Sequence, residues 1–200
     1  MKKTDYTPPK GRPVHILNLA SGNGTESYVL SAFFGSGQFL LPSNKALVDS
    51  VDISKTTIEG ALEDQSDYLR NFPNGSEFVG PVRFSTGDAT QSELFDSLRL
   101  PLDVVWIRHP NVTEDLVGGR PIWKTLIRNA VDQLRPGGIV IMTHYSKYEG
   151  EIADSFLSQA GAEILVNSEE NQQIPSELKR GKWEAPKDPR DLFITAGIKP

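Results

Sequence analysis

The sequence predicts an α/β chain: a doubly wound, mostly parallel sheet with helices on both faces. Three observations lead there. Short apolar, β-rich runs alternate with helix-period stretches along nearly all of the 200 residues, the pattern of parallel strands joined by right-handed crossovers. The first run stops at a small, glycine-rich turn, and a helix opens directly after it. The last two runs have no helix between them, so they should pair antiparallel at one edge of the sheet.

Residues 1 to 13, MKKTDYTPPKGRP, mix charge with proline and glycine and cannot build a core; they read as a flexible arm, and residues 14 to 200 as a single domain. Val14, Ile16, Leu17 and Leu19 form an apolar run suited to a central strand covered on both faces. In the turn that follows, Ala20, Ser21, Gly22, Asn23 and Gly24 carry little side chain, so the backbone can pass close to a ligand. The next helix starts near Thr25 and runs through Tyr28, Leu30, Ala32 and Phe33, aiming its free N–H groups into that turn. A ligand-free strand-to-helix turn is the plainer reading of the glycines alone. After the FLLPS loop, Ala46 to Ile53 is a second strand, ending at Asp52.

The second helix covers Ser54 to Asn71, with Thr56 and Glu59 in capping-box spacing. FPNGSEFVGP is a turn-rich connection, and Val82 to Phe84 is a short third strand ending before Gly87-Asp88-Ala89. Thr90 and Glu93 again have capping-box spacing, opening a short helix through Leu94, Phe95 and Leu98. Leu102 to Ile107 is the fourth strand and ends at Arg108-His109-Pro110-Asn111. From Ile122 to Leu134 the apolar residues share one helical face. Pro136-Gly137 is a stop signal, and Gly137-Gly138 reads as a helix C-cap before the fifth strand, Ile139 to Met142. That strand ends at Thr143-His144-Tyr145. Glu151 to Ala160 is a last helix, stopped by Gly161, before strands at Ala162 to Val166 and Leu192 to Ala196. The polar stretch between those two, with Trp183 inside it, reads as a long loop able to cover a substrate together with the arm.

Composition excludes several classes of partner. Lysine and arginine total 21 against 26 acidic residues, a net charge of -5, so no general basic surface is available for phosphates and nucleic acid is disfavoured. The absence of cysteine removes disulfides, thiolate metal sites and a cysteine nucleophile. The three histidines stand on separate strands or turns, without ligand spacing, so no metal is expected. The N-terminus has no apolar signal region, and no segment approaches the roughly 18 apolar residues of a membrane span. A cytoplasmic protein without membrane association is the expectation.

With the strand ends collected, four motifs become specific together. Asn18-Leu19-Ala20-Ser21-Gly22-Asn23-Gly24 resembles the first motif of class I S-adenosylmethionine-dependent methyltransferases. Val51-Asp52-Ile53-Ser54 resembles their second, Gly87-Asp88-Ala89 their third, and Leu134-Arg135-Pro136-Gly137-Gly138 the turn before their fifth strand. The resemblance covers Val14 to Ile198 and implies a seven-stranded Rossmann-like sheet with a terminal antiparallel pair. It also implies S-adenosylmethionine as cofactor, methyl transfer as the reaction and a small molecule or a protein as acceptor.

Residue by residue, it implies a cofactor site of Asn18, Ala20, Ser21, Gly22, Asn23, Gly24, Asp52, Ile53, Asp88, Ala89 and Arg108. Asp52 is placed to accept both ribose hydroxyls; a carboxylate complementing a helix dipole is the plainer alternative. Asp88 would take the adenine amino group and the Ala89 N–H a ring nitrogen, unless they only form an Asp-containing turn. Ile53 would pack on adenine or simply in the core. Two positions depart from the family: its usual acidic residue is Asn18, and its first glycine is Ala20. Glu26 stands near enough to replace the missing charge, or serves only the helix dipole.

His109 is the candidate general base, because a neutral imidazole can take a proton from a hydroxyl or ammonium group. Arg108 can hold a carboxylate or pair with an acidic neighbour. Asn111, His144 and Tyr145 complete the candidate acceptor pocket with His109. A relative that binds the cofactor without catalysis is the main alternative. A nicotinamide enzyme is disfavoured, because the third glycine of its fingerprint is Ser27 here.

Overall fold

The computed structural model describes residues 12–22, 24–35, 46–71, 79–98, 101–114, 119–170 and 193–200. Its strands are β1 (His15–Leu19), β2 (Leu47–Asp52), β3 (Val82–Thr86), β4 (Leu102–Arg108), β5 (Leu134–His144), β6 (Glu163–Glu170) and β7 (Phe193–Ile198). Between them run α1 (Thr25–Gly35), α2 (Lys55–Asn71), α3 (Glu93–Asp96), α4 (Arg120–Gln133) and α5 (Lys147–Gln159). The strands form one seven-stranded sheet in the order β3-β2-β1-β4-β5-β7-β6. The first five are parallel, and β7 lies antiparallel between β5 and β6. The expected doubly wound architecture is therefore present, with the order reversing between β1 and β4, where ligands of such sheets bind.

Burial on both faces follows from the apolar strand runs. Ile16, Val48 and Val104 pack on one side, whereas Leu17, Leu19, Val105, Ile107, Val140 and Met142 pack on the other with α4 and α5. Leu126, Ile127, Ala130 and Val131 form the buried face of α4, three and four residues apart as a helix on a sheet requires. On α1, Ser27, Leu30, Ser31 and Phe34 turn inward. Ser31 Oγ accepts the Gly80 N–H at 2.8 Å, which ties that helix to the approach of β3.

At the amino ends of the strands one carboxylate gathers three segments. Asp103 is fully buried. It accepts two hydrogen bonds from Arg12, at 2.8 and 3.0 Å, and one from the His15 N–H at 2.9 Å. Arg135 Nε is its fourth donor. A buried charge with every lone pair met is stable in place and costly to break.

Several local expectations are corrected by the backbone. Gly137-Gly138 does not cap a helix: α4 ends in the extended residue Leu134, and β5 begins there. The pairing of β4 with β5 shifts register between Leu102 and Val104, and the glycines absorb that irregularity. Gly137 has φ +74°, and a Cβ on Gly138 would lie 3.0 Å from both the Arg135 carbonyl oxygen and Leu134 Cδ2. The predicted cap at Thr56 is moved to Ser54, whose Oγ accepts the Thr57 N–H at 3.2 Å. Thr90 caps nothing; its N–H and hydroxyl both donate to Asp88 Oδ1, at 2.9 and 2.7 Å. α5 begins earlier than expected, because Ser146 and Glu149 form a full capping box. The FLLPS loop, most of the FPNGSEFVGP connection, residues 1–11 of the arm and most of the loop around Trp183 lie outside the described residues.

Candidate functional site

The carboxyl ends of β1 and β4 hold the two non-glycine residues with left-handed backbone among the described residues: Ala20 at φ 51° and His109 at φ 49°. Such a conformation costs an L-residue of order 1 kcal/mol or more, and it concentrates at functional sites. Both residues directly follow their strands, one on each side of the point where the strand order reverses. At position 20 glycine would remove that cost; at position 109 the backbone is tied down by the His109 N–H donating to the Thr143 carbonyl at 2.9 Å.

Beside Ala20 a cavity of about 250 Å³ opens between the ends of β1, β2 and β3 and the start of α4. It is lined by Asp52, Ile53, Asp88, Ala89, Ile122 and Trp123 among others. That volume falls just below the range of about 300–1,000 Å³ usual for ligand sites, and so suits one nucleoside-sized part of a larger molecule. Ala20, Asp52, Ile53, Asp88 and Ala89 of the sequence-derived set meet at this one cavity. Ile122, Trp123, Leu126 and Thr90 also line it and were missed, since on sequence the α4 residues only mark a core-facing helix.

Asp52 holds the glycine turn in place. Its Oδ2 accepts the Gly22 N–H at 3.0 Å, and its Oδ1 accepts the Ser54 N–H at 2.8 Å. Each oxygen keeps a further lone pair for a donor in the cavity. Asp88 is ionised at neutral pH: the Thr90 N–H, and then the Thr90 hydroxyl, hold its pKa below the usual carboxylate value. Ile53 stands 72% exposed at the rim, an apolar surface that a flat ligand would cover.

The glycine turn itself fits a ligand passing over it. A Cβ built on Gly22 meets nothing within 4 Å, so the space above the turn is open. Ser21 Oγ and Asn18 Oδ1 are buried and without a hydrogen-bond partner among the described residues. Buried polar atoms of this kind are rare unless something else meets them. Asn18 Nδ2 donates to Ser27 Oγ at 2.8 Å, and Ser27 Oγ donates to Ser50 Oγ at 3.0 Å. Ser27 thus packs α1 against β1 and β2 through hydroxyls where a dinucleotide fingerprint has glycine. Gly24 cannot carry a side chain, because a Cβ there would collide with the Phe84 ring. Asn23 lies outside the described residues.

At the ends of β4 and β5 the other candidates form a second cluster. Arg108 pairs with Glu26 of α1 at 3.9 Å, the acidic-neighbour alternative rather than a free cation. The His109 ring stacks on Tyr145, with centroids 3.9 Å apart and planes at 23°. Tyr145 is exposed, and its N–H donates to Glu149 Oε2 at 2.9 Å. Asn111 is also exposed. His144 is fully enclosed, and neither ring nitrogen has a hydrogen-bond partner among the described residues. Burial, and then the nearby His109, lower its pKa to about 4, so it is neutral at pH 7. Among the described residues no group of side chains suits a metal ion, and no helix is long and apolar enough to cross a membrane.

A seven-stranded sheet, parallel but for its terminal antiparallel pair, defines the class of fold. The chain has the fold of class I S-adenosylmethionine-dependent methyltransferases. It is similar to such a methyltransferase from Methanosarcina mazei, with TM-score 0.61 and 15% identity, over 94% of this chain and 92% of that one. It is also similar to the S-adenosylmethionine-dependent methyltransferase SibL in its apo form, with TM-score 0.57 and 15% identity over 94% of this chain. The chain spans about half of SibL, 51% of its length. A ribosomal protein L11 methylase from Lactobacillus delbrueckii subsp. bulgaricus matches with TM-score 0.55 and 12% identity, over 96% of this chain and 73% of that one. No family model and no curated protein matches the sequence.

Proposed function

We propose that this chain, from residue 14 to its end, transfers a methyl group from S-adenosylmethionine to a small-molecule or protein acceptor. The observation that carries the reading is the cavity between Asp52 and Asp88, with the glycine turn alongside it. Asp52 takes the ribose hydroxyls on the lone pairs that Gly22 and Ser54 leave free. Asp88 takes the adenine amino group, the Ala89 N–H a ring nitrogen, and Ile53 the adenine face. Ala20, Ser21, Gly22 and Gly24 border the methionine part, and Asn18 offers its carbonyl oxygen to the amino group. The bound cofactor supplies an electrophilic methyl group on a sulfonium.

The chain's own contribution to the chemistry is positioning and proton handling. His109 takes the proton of a hydroxyl or ammonium acceptor, with its ring held flat on Tyr145. Arg108 steadies the strand end through Glu26, and Asn111 and Tyr145 line the approach of the acceptor. His144 stays neutral beneath this cluster and adds no charge to repel a protonated His109.

Asn18 and Ala20 support a second reading, a module that binds the cofactor without catalysis. Asn18 brings no charge to the methionine end and spends its amide on Ser27, and Ala20 is strained. The deciding experiment incubates the protein with methyl-labelled S-adenosylmethionine and a panel of hydroxyl, amine and peptide acceptors, following release of S-adenosylhomocysteine. Turnover with any acceptor, lost in His109→Ala, supports the enzyme. Tight cofactor binding with no turnover across the panel favours the module.

A further inference from the structure

α4 contributes to the cavity twice. Ile122 and Leu126 form part of its wall, and Asn129 continues the same face at i+7 from the first of them. Asn129 does not touch the cavity; it reaches the loop that forms the opposite wall. Its Nδ2 donates to the Ala89 carbonyl at 3.2 Å and to the Thr90 carbonyl at 3.0 Å. Other bonds in that loop are local. Gln91 N–H donates to the Asp88 carbonyl at 3.0 Å, and Thr90 donates twice to the Asp88 carboxylate. The start of the loop is tied to β2, where the Gly87 N–H donates to the Asp52 carbonyl at 3.0 Å. Asn129 ties the rest of the loop to α4, from about 40 residues away in the chain.

We infer that Asn129 is a positioning residue for adenine recognition: it clamps the 88–90 loop so that Asp88 and the Ala89 N–H face the purine edge in one fixed register. The inference rests on the adenosine reading of the cavity. One amide with two N–H groups satisfies two carbonyls at once, which no apolar or acidic side chain of the same size can do. In Asn129→Leu the carbonyls lose their donors, and in Asn129→Asp they face acceptors instead. The loop then shifts against α4, and the Asp88 carboxylate loses its alignment.

The consequence is a loss of base selectivity as well as affinity. The adenine amino group donates to Asp88, whereas the oxo group of hypoxanthine at the same position is repelled by it. The test titrates adenosine, inosine and S-adenosylhomocysteine into the wild type, Asn129→Leu and Asn129→Asp. Val131→Ala serves as a control that weakens the packing of α4 without removing a hydrogen bond from the loop. The wild type prefers adenosine, Asn129→Leu binds S-adenosylhomocysteine about tenfold more weakly, and the adenosine-to-inosine ratio narrows in both Asn129 variants. Val131→Ala keeps that ratio although it lowers stability. An unchanged ratio in both Asn129 variants, or an equal narrowing in Val131→Ala, overturns the inference. A wild type that binds none of the three overturns it together with the adenosine reading.

Discussion

At the amino ends of the strands, Asp103 is enclosed and meets Arg12, Arg135 and the His15 N–H. At the carboxyl ends of the same sheet, Ala20 and His109 hold left-handed backbone, and Ser21, Asn18 and His144 keep buried polar atoms without partners among the described residues. The first edge has its polar groups satisfied and the second does not. The strands are common to both, so the difference lies in what their ends are for. One edge fixes the register of β1, β4 and β5, and the other holds open space and uncommitted groups at a cost in stability.

Removing Asp103 should break the first edge most severely. Asp103→Ala strips the acceptor from two arginines and a backbone N–H, and should cost about 4 kcal/mol in urea unfolding. The fraction that stays folded should bind adenosyl ligands as the wild type does. If stability is unchanged, the knot is not what fixes the strands.

The second edge should respond to acid. His144 has its folded pKa depressed to about 4 from the usual 6.5, so the unfolded chain binds the extra proton first. The stability that comes from keeping this ring neutral is complete above about pH 6.5 and falls steadily as the pH drops toward 4. About 3 kcal/mol is at stake over that window. Denaturant titrations of the wild type and His144→Gln from pH 7 to pH 4 should converge as the pH falls. Parallel curves would mean that His144 titrates normally.

Asp52→Ala acts on both function and fold at that same edge. Losing the charge-assisted acceptor should weaken S-adenosylmethionine by about 1 to 3 kcal/mol, and the Gly22 and Ser54 N–H groups left without their acceptor should lower stability by about 1 kcal/mol. Unchanged affinity would mean that the ribose lies elsewhere. The smallest effect is expected from Ala20→Gly, which relieves the left-handed strain and should raise stability by up to about 1 kcal/mol. A lower melting temperature would show that the methyl group makes packing contacts outweighing its strain.

The strands, their alternation with helices and the glycine turn were legible because each rests on short-range patterns, whereas the seven-stranded arrangement was implied by the resemblance of the four motifs together. Apolar runs ending at Leu19 and Asp52, and helices opening just after them, can be read within a few residues. The start of β5 was not, since Pro136-Gly137-Gly138 looks like a helix stop until the register shift against β4 is known. In the site, Asp52, Asp88 and Ala89 were found through motif spacing, but Trp123, Leu126 and Asn129 were not. On sequence, Trp123 and Leu126 are indistinguishable from the rest of an apolar face. Asn129 looks like any polar surface residue, and only the approach of α4 to the 88–90 loop gives it partners. The tie between Arg12 and Asp103 joins residues 91 apart, which no local pattern encodes.

The most direct test of the account is calorimetric titration of the protein with S-adenosylmethionine, S-adenosylhomocysteine and NAD in parallel. The cavity between Asp52 and Asp88, with the glycine turn beside it, predicts heat from the two adenosyl ligands, abolished or weakened in Asp52→Ala, and tighter binding of both than of NAD. No heat from either adenosyl ligand, or tighter binding of NAD than of both, would contradict it.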